Sequence, residues 1–262
     1  AKQGPSKEAK QGARHQGFST TRHKIGNPWI ERKGTGMPRS TTLTEDAYRQ
    51  LRRDILRGHW KPQEPLRMHQ LSDRYGMGQS PLREALSRLQ AERLVVLMPL
   101  KGFTVAPLSP AEMWDAINFR ILLETEALRL SIRDGGDDWE GAIVAALHSL
   151  ILKAKRVEES GTDADQDEFE IRHHDFHRAL IAACNSPRML EQFDRLYAEC
   201  ERYRFPTMAA SAPMRRDIQG EHRAIAEATL ARDAALACDL LTRHYRATAE
   251  RVQARFHEMA AV

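Results

Sequence analysis

Four histidines in the second half of this 262-residue chain have spacings that could place them around one metal ion. His173 and His177 are four residues apart in a segment of helical periodicity, so they share one face of that helix. His222 lies near the start of a later predicted helix, and His244 lies in the middle of the last one. Imidazole nitrogens from facing helices suit Zn²⁺, Ni²⁺ and similar divalent ions. The spacing therefore predicts a divalent-metal site, with Zn²⁺ or Ni²⁺ as the cofactor, inside a helical bundle.

The same residues leave alternatives open. His174 is three residues from His177 and competes with His173 for the metal-facing position. Each of these histidines could also be an ordinary hydrogen-bonded residue, because such pairs arise by chance. A histidine cluster with an open coordination position could instead activate water. That alternative makes the chain a metal-dependent hydrolase with Glu221 or Asp175 as its general base.

Arginines in other predicted helices could hold a carboxylate ligand. Arg120 lies in a mostly apolar helical segment, where an arginine either points inward to a partner or extends to solvent. Arg202 and Arg204 flank Tyr203 near the end of a later predicted helix. Guanidinium groups bind carboxylates through paired hydrogen bonds. We therefore expect Arg120, Arg202 and Tyr203 to be effector-binding residues.

The elements that carry these residues are predicted helices. From Ser109 onward the chain reads as almost entirely helical, and Gly, Pro, Asn and Asp residues mark the breaks. We predict helices near residues 110–133, 138–158, 166–184, 187–204, 214–231 and 234–258. Six helices of this length form an antiparallel bundle. We assign residues 109–262 to a separate all-helical domain.

A helix pair followed by a hairpin is predicted ahead of this bundle. A first helix is expected to begin at Thr44, and a short helix covers about residues 68–75. Ser80 is expected to cap the next helix, with Pro81 at its first position. Residues 95–98 and 103–105 have the composition of two strands joined by a turn. The fold class is therefore mainly α, with a winged helix-turn-helix in residues 43–108 and a six-helix bundle after it.

The second helix of the pair has an apolar side and a basic, polar side. Leu82 and Leu86 belong to the apolar stripe, and Arg83 and Ser87 fall on the opposite face. Such a helix, preceded by another short one, suits the major groove of DNA. The residues that we expect to contact DNA are Arg67, His69, Gln79, Ser80, Arg83, Ser87, Lys101 and Gly102.

Charge is distributed unevenly along the chain. The net charge is +7 in residues 1–42, +4 in residues 43–108 and −7 in residues 109–262, for a total of +4. A basic front and an acidic back fit a protein that places only one end on a polyanion. Residues 1–42 lack periodicity and are rich in small and polar residues, so we interpret them as a disordered basic tail.

Composition also bears on the compartment of the protein. No apolar run approaches the roughly 18 residues that span a membrane. Residues 1–42 lack the apolar stretch of a secretory signal. The three cysteines, Cys184, Cys200 and Cys238, lack metal-type spacing and are expected to be free thiols. We therefore expect a cytoplasmic protein that does not contact membranes.

These motifs resemble those of the GntR family of bacterial transcription regulators. The segment Gly78–Leu86, which reads GQSPLREAL, is similar to the family's helix-turn-helix motif, and Gly102-Phe103 is similar to the glycine-aromatic pair of its wing. The second half looks like the FCD ligand-binding domain of the FadR-type branch. The residues that carry this second likeness are Arg120, Glu124, Phe176, His177, Glu221, His222 and His244. The resemblance covers about residues 43–255.

The resemblance implies a regulator that a small organic acid controls, with residues 109–262 as its effector-binding and dimerisation domain. FCD domains commonly bind a divalent metal through one acidic or amide residue and three histidines, and the metal helps to hold the acid. His173 stands where the acidic or amide ligand is expected. The site is then either a four-histidine site or a three-histidine site with an outside ligand. The segments around 181–184, 202–204 and 244–245 are similar to the CsiR-like group, which implies a short dicarboxylate such as glutarate.

The resemblance also implies a homodimeric, DNA-binding repressor. Two recognition helices would contact the two half-sites of a pseudo-palindromic operator. His69 and Gln79 stand where the family often has arginine, whereas Arg83 is present. Since arginine reads guanine and glutamine reads adenine, the operator preference is expected to differ from the usual one.

Overall fold

The computed structural model describes residues 42–208 and 216–260, together with Ala1. Apart from Ala1 and Thr42, the predicted tail lies outside the described residues. Within the described part, no helix is both long enough and apolar enough to cross a membrane. The elements in chain order are α1 (Leu43–Leu56), α2 (Met68–Tyr75), α3 (Gln79–Ala91), β1 (Val95–Met98), β2 (Gly102–Val105), α4 (Pro110–Asp134), α5 (Asp137–Ser160), α6 (Asp163–Ile181), α7 (Pro187–Met208), α8 (Ile218–Leu230) and α9 (Ala234–Ala260).

Helices α1–α3 and the β1–β2 hairpin pack around one small core. Leu51 of α1, Leu71 of α2 and Leu82 of α3 are completely buried in it. The two strands are antiparallel, with Val95 paired with Val105. Because each helix contributes an apolar stripe to the same interior, the three helices and the wing form one unit. This confirms the predicted winged helix-turn-helix.

The start of α1 differs from the prediction. Thr44 was expected to cap this helix, but the helix begins at Leu43 and its N-cap is Thr42. The Thr42 hydroxyl accepts a hydrogen bond from the Glu45 amide at 3.2 Å, which is the usual capping geometry. The Thr44 hydroxyl donates to Glu84 of α3 at 2.9 Å instead. Two threonines within three residues can both act as caps, and the tertiary contact to α3 selects between them.

The start of α3 also differs from the prediction. Gly78 is the N-cap in an extended conformation, so Ser80 lies within the first turn rather than at the cap. The chain turns from α2 into α3 at Gly76, whose φ of +63° is a left-handed conformation that glycine adopts without strain. The earlier start places Gln79 and Ser80 together in the first turn of α3. In helix-turn-helix proteins, this end of the second helix contacts base edges.

The hairpin forms an exposed wing. Strand β2 begins at Gly102, one residue before the predicted start, and Met98 pairs with Gly102 at the end of the ladder. The Lys101 amide donates to the Met98 carbonyl at 3.1 Å, which closes the turn. Lys101 and Gly102 are both exposed. The wing therefore presents a cation and an unobstructed backbone at its tip.

The six predicted helices of the second half correspond to α4–α9. Helices α6 and α7 end at residues 181 and 208 rather than 184 and 204, and two helix starts differ because a cap was not recognised. Helix α6 begins at residue 163 rather than 166, since the Thr162 hydroxyl accepts from the Asp165 amide at 3.2 Å. Helix α8 begins at residue 218 rather than 214, since the Asp217 carboxylate accepts from the Gly220 amide at 2.8 Å. The mainly α architecture with a helical second half is confirmed.

The core of the bundle explains why its histidines point inward. Leu180, Ile225 and Leu241 are completely buried members of the same core. Each lies three residues from a histidine of the predicted metal site, namely His177, His222 or His244. Residues three or four apart share a helix face, so the apolar stripes carry these histidines into the interior.

Candidate DNA-reading face and metal centre

Helix α3 presents a polar face to solvent. Its apolar residues Leu82, Ala85, Leu86 and Leu89 have no exposed surface. All eight residues predicted to contact DNA are exposed: Arg67, His69, Gln79, Ser80, Arg83, Ser87, Lys101 and Gly102. The structure therefore leaves the whole predicted set accessible to a duplex.

Several cations on this surface have no ionic partner within residues 42–208 and 216–260. They are Arg67, Arg83 and Lys101. Neighbouring arginines are engaged, since Arg74 pairs with Asp54 at 2.9 Å and Arg88 pairs with Glu45 at 2.7 Å. Unpaired cations are available to replace the counterions of DNA phosphates, whereas paired ones are not. The unpaired charges thus lie on or next to the elements that are predicted to contact DNA.

The four predicted metal ligands converge in the interior of the bundle. His173 and His177 come from α6, His222 from α8 and His244 from α9. One potential ligand atom from each residue lies within 4.8 Å of the others. Exposure of the four residues ranges from 0% to 6%. Three helices therefore place four buried imidazoles around one small volume.

His174, the alternative to His173, points elsewhere. Its Nε2 lies 2.9 Å from Asp194 of α7, and its Nδ1 lies 3.6 Å from Asp175. These carboxylates raise the pKa of His174, although burial acts in the opposite direction. Consecutive residues project about 100° apart around a helix, so only one of the two histidines can share the face of His177. That residue is His173.

The four clustered imidazoles favour their neutral form. Burial lowers the pKa of each one, and for His173, His177 and His222 the decrease is large. Mutual repulsion among the histidines and the nearby Arg204 add to the effect. A metal ligand must be a neutral imidazole with a free lone pair. The site therefore maintains its histidines in the protonation state that metal binding requires.

Two further observations fit a metal ion at this position. The buried His222 Nε2 has no hydrogen-bond partner among the described residues. The Nε2 atoms of His173 and His177 lie 3.2 Å apart. Two nitrogens that both bind a tetrahedral ion at about 2.0–2.1 Å are separated by about 3.3–3.4 Å. The nitrogen spacing and the unsatisfied atom both match a small divalent ion.

The Glu221 carboxylate contacts the ring nitrogen of His244 that faces away from the cluster. The His244 Nδ1 lies 2.8 Å from Glu221, and Arg216 pairs with the same carboxylate at 2.5 Å. Burial alone would raise the pKa of Glu221, but hydrogen bonds from His244 and Arg216 outweigh it and hold the pKa at about 2. The carboxylate therefore stays ionised and orients the imidazole, a common arrangement behind metal-binding histidines.

The sequence left two orientations open for Arg120, inward to a partner or outward to solvent, and in the structure it points inward. It is 1% exposed, and its Nε lies 2.5 Å from Glu124 on the next turn of α4. Burial raises the pKa of Glu124, and the guanidinium opposes this rise. Arg120 also lines the cavity beside the histidines. Its charge is thus already matched by a glutamate.

The cavity beside the histidines has a volume of about 340 Å³. Arg120 and Tyr203, both predicted to bind the effector, lie in its lining. Arg202 does not, which corrects the prediction. Its guanidinium donates instead to the Arg93 carbonyl at 2.6 Å and approaches Glu112 at 3.3 Å. It therefore contacts the junction between the two halves of the chain.

Arg204 and Arg216 line the cavity but were not among the predicted effector-binding residues. Arg204 is two residues from Arg202. The sequence therefore pointed to the correct segment of α7, but the cavity is lined by Arg204 and not by Arg202. Arg216 lies just before α8, inside the segment predicted to be helical from residue 214, and the sequence contained no signal that it faces the cavity. Its pair with Glu221 is local, whereas its hydrogen bonds to the His244 carbonyl at 2.8 Å and to Thr248 at 2.9 Å result from the packing of α8 against α9.

Helices α6 and α7 also contact the winged helix-turn-helix, residues 43–105, which we call the DNA-reading half of the chain. Glu201 of α7 pairs with Arg52 of α1 at 2.5 Å. At the start of α6, Asp163 and Asp167 pair with Arg57 at 2.5 and 2.8 Å. The same two helices carry His173, Tyr203 and Arg204 at the cavity. A change in the cavity therefore acts on helices that touch α1 directly.

These features define a class of protein: a DNA-binding regulator with a separate helical domain. Residues 43–105 match the family model described as bacterial regulatory proteins, gntR family, and residues 115–247 match the FCD domain. The chain belongs to the GntR family, in the FadR-type branch that carries an FCD domain. It is a transcription regulator, and the matches give no support to the alternative of a metal-dependent hydrolase.

Named relatives agree with this membership. The chain is 40% identical over 207 residues to the HTH-type transcriptional repressor GlaR of Escherichia coli (strain K12), covering 78% of this chain and 93% of that protein. It is 36% identical over 203 residues to the HTH-type transcriptional regulator BphR of Paraburkholderia xenovorans (strain LB400), covering 78% and 82%. The solved structure of E. coli McbR/YncC has a TM-score of 0.66 at 21% identity, over 82% of this chain and 99% of that one, which shows a shared fold.

Proposed function

We propose that this regulator is a homodimeric repressor that binds operator DNA and releases it when a small organic acid occupies the bundle. The acid is a short dicarboxylate such as glutarate, bound next to a Zn²⁺ or Ni²⁺ ion. The observation that carries the proposal is the convergence of four buried, neutral histidines beside a cavity lined by arginines. A volume of about 340 Å³ lies in the usual range of small-molecule sites, about 300–1,000 Å³.

The proposed ligands of the ion are His173, His177, His222 and His244. Imidazole nitrogens favour Zn²⁺ and Ni²⁺, whereas Mg²⁺ and Ca²⁺ prefer oxygen ligands, and the cluster offers only nitrogen. When bound, the ion supplies a Lewis-acidic centre for a carboxylate oxygen. The histidines would hold that centre at one end of the cavity.

The charge balance of the cavity favours an anionic ligand. Each lining arginine next to the cluster has a glutamate partner: Arg120 with Glu124, Arg204 with Glu170 and Arg216 with Glu221. The inner cavity is thus close to neutral without an ion, because the histidines are uncharged. A divalent ion adds two positive charges in a poorly solvated space, where uncompensated charge is costly. A dicarboxylate would compensate both charges.

The contacts of α6 and α7 offer a route from the acid to DNA. An acid bound against Arg204 and the histidines would favour one arrangement of these helices. The ion pairs of Arg52 with Glu201 and of Arg57 with Asp163 transmit that arrangement to α1. If the acid prefers a conformation that DNA does not, linkage requires that each ligand weakens the other.

An exposed apolar strip on α4 supports a second copy of the chain as partner. Leu122 is 68% exposed and Phe119 is 46% exposed, one turn apart. Asp115 and Arg129 lie on the same exposed side, each seven residues from Leu122. Antiparallel packing of two α4 helices about Leu122 would bring Asp115 of each copy near Arg129 of the other. This is the self-complementarity that a two-fold dimer requires.

The test begins with an operator selected by the Zn²⁺-loaded protein from a pool of randomised duplexes. Fluorescence anisotropy then measures its affinity with increasing glutarate. A coupling of about 1–3 kcal/mol predicts a 5- to 150-fold loss of DNA affinity. Glutaramide, the neutral diamide of the same length, is the matched control and should have little effect.

Two results would contradict the proposal. An operator affinity that glutarate leaves unchanged, at any concentration and with metal bound, refutes the effector. Equal affinity for selected and random duplexes refutes the sequence-specific reading of DNA. Repeating the titration after chelation separates the role of the metal, since the response to glutarate should then disappear.

A further inference from the structure

Two buried tyrosines contact the histidine cluster from outside. The Tyr245 hydroxyl lies 2.9 Å from Nδ1 of His177, and the Tyr197 hydroxyl lies 2.7 Å from Nδ1 of His173. Both tyrosines are buried in the bundle core. In each histidine the other ring nitrogen, Nε2, faces the centre of the cluster, and the two Nε2 atoms are 3.2 Å apart.

Each tyrosine also contacts an arginine and a glutamate that pair with one another. The Tyr245 oxygen accepts from Arg120 at 3.1 Å, and its hydroxyl donates to Glu124 in a short hydrogen bond. The Tyr197 oxygen accepts from Arg204 at 3.0 Å, and Glu170 lies 3.4 Å away as acceptor. The same arrangement of histidine, tyrosine, glutamate and arginine therefore occurs twice, once among α4, α6 and α9 and once between α6 and α7.

Counting the protons in this arrangement assigns a tautomer to the histidines. A guanidinium only donates, and an ionised carboxylate only accepts. A tyrosine hydroxyl has one proton, which Tyr245 donates to the Glu124 carboxylate and Tyr197 donates to Glu170, whose carbonyl and carboxylate oxygens lie 3.3 and 3.4 Å away. With the tyrosine protons placed in this way, each tyrosine oxygen accepts from Nδ1 of its histidine. This arrangement puts the proton of both histidines on Nδ1.

A protonated Nδ1 leaves a lone pair on each Nε2. Two lone pairs that face one another across 3.2 Å repel unless a cation lies against them. From this geometry we propose that Tyr245 and Tyr197 are positioning residues for the metal centre. They hold His177 and His173 in the tautomer whose Nε2 can bind a metal ion, and so they make His173 a full ligand. This inference rests on the metal centre of the proposed function.

The first test uses the substitutions Tyr245→Phe and Tyr197→Phe, each of which removes one hydroxyl. Tyr203→Phe is the matched control, because Tyr203 lines the same cavity but its hydroxyl contacts Arg202 rather than a histidine. Zn²⁺ affinity is measured by competition with a chelating indicator. Loss of a group that orients a metal ligand typically weakens metal binding 10- to 100-fold, which is the expected result for Tyr245 and Tyr197. The control should remain within about threefold of the unsubstituted protein.

Two readouts separate positioning from a general structural effect. The visible absorption of the Co²⁺-loaded protein reports coordination geometry, and it should change in Tyr245→Phe and Tyr197→Phe but not in Tyr203→Phe. Ring ¹⁵N resonances of the unsubstituted, metal-free protein report the tautomer directly and require no variant. They should show Nδ1 protonated in both His173 and His177.

The outcomes distinguish this inference from the proposed function. Failure of the unsubstituted protein to bind Zn²⁺ overturns the metal centre itself, and this inference with it. Zn²⁺ binding that both phenylalanine variants retain within threefold overturns only the role of the tyrosines. Ring resonances that place the protons on Nε2 also overturn it, whatever the variants show.

Discussion

Replacement of Arg83 by alanine should weaken operator binding far more than replacement of any neighbouring arginine on α3. Arg83 is exposed on the polar face of the recognition helix, and it has no ion-pair partner among the described residues. Its guanidinium gives up no interaction within the protein when it contacts a base edge. Arg88, five residues later, pairs with Glu45 at 2.7 Å and lies over the Tyr48 ring at 3.8 Å. It is therefore committed to α1.

The magnitude follows from how many base pairs the side chain reads in the complex. A bidentate arginine–guanine interaction discriminates by about 1–3 kcal/mol per half-site. A two-fold dimer carries Arg83 in each of its two recognition helices, so Arg83→Ala should cost about 2–6 kcal/mol. Since about 1.4 kcal/mol is a tenfold change, the dissociation constant should rise by about 30-fold to about 10⁴-fold. Discrimination should disappear mainly at the base pair that Arg83 reads.

The assay compares Arg83→Ala with Arg88→Ala on the selected operator and on random duplex. Arg88→Ala should leave operator affinity within about threefold, and it should cost about 1 kcal/mol of folding free energy because it removes an ion pair and a ring interaction. Urea unfolding measures that cost. Equal losses of operator affinity in the two variants, or an Arg83→Ala variant that keeps the operator affinity of the unsubstituted protein, would refute the assignment of this face.

The remaining predictions concern stability, coupling and assembly. Hydrogen bonds from Tyr75, His59 and Arg74 hold the pKa of Asp54 below its ordinary value although burial raises it, so Asp54→Asn should cost about 1–3 kcal/mol in urea unfolding at pH 7. That contribution is complete above the unfolded pKa of about 3.9 and is lost as pH falls through the folded pKa, so the cost should vanish in strong acid. Glu201→Gln should reduce the effect of glutarate on operator affinity severalfold in the anisotropy assay, because it weakens the pair with Arg52. Leu122→Asp should produce monomers in sedimentation velocity, because it places a charge in the proposed dimer contact. Zn²⁺ at about 100 times its dissociation constant should stabilise the protein by about 2.7 kcal/mol, which corresponds to a rise of about 5–11 °C in Tm, and His222→Ala should abolish most of it.

Matched controls exist for these variants. Asp73→Asn, Glu227→Gln and Leu236→Asp make the same chemical changes at exposed sites away from the contacts in question. Each control should behave like the unsubstituted protein. The reasoning fails where a control and its test variant give the same result. A metal-dependent rise in Tm that survives His222→Ala would place the ion elsewhere.

The winged helix-turn-helix was predictable because its signals are local. Apolar residues at helical spacing, glycines in the turn and two short strands are all visible within forty residues of sequence. The helix caps were less predictable. Thr42 and Thr44 are chemically equivalent, and Glu84 of a different helix decides which one caps α1.

The histidine pair on α6 was also predictable, because a spacing of four residues places His173 and His177 on one face in any regular helix. The sequence also predicted that His222 and His244 converge on this pair. Their ligand atoms lie within 4.8 Å of the others only because α8 and α9 pack beside α6. The tyrosines behind them had no sequence signal, since an inward tyrosine on an amphipathic helix is ordinarily a core residue.

The sequence by itself determined which helices form, which faces are apolar and which end of the chain is basic, because these properties depend on neighbours a few residues away. Only the tertiary structure decided that Arg204 faces the cavity while Arg202 faces the junction with the DNA-reading half. Arg202 and Arg204 are both buried although they lie on different sides of α7. Hydrophobic periodicity in the sequence therefore cannot distinguish the side that faces the cavity from the side that faces the junction. The packing of α7 between α1 and the bundle makes that distinction.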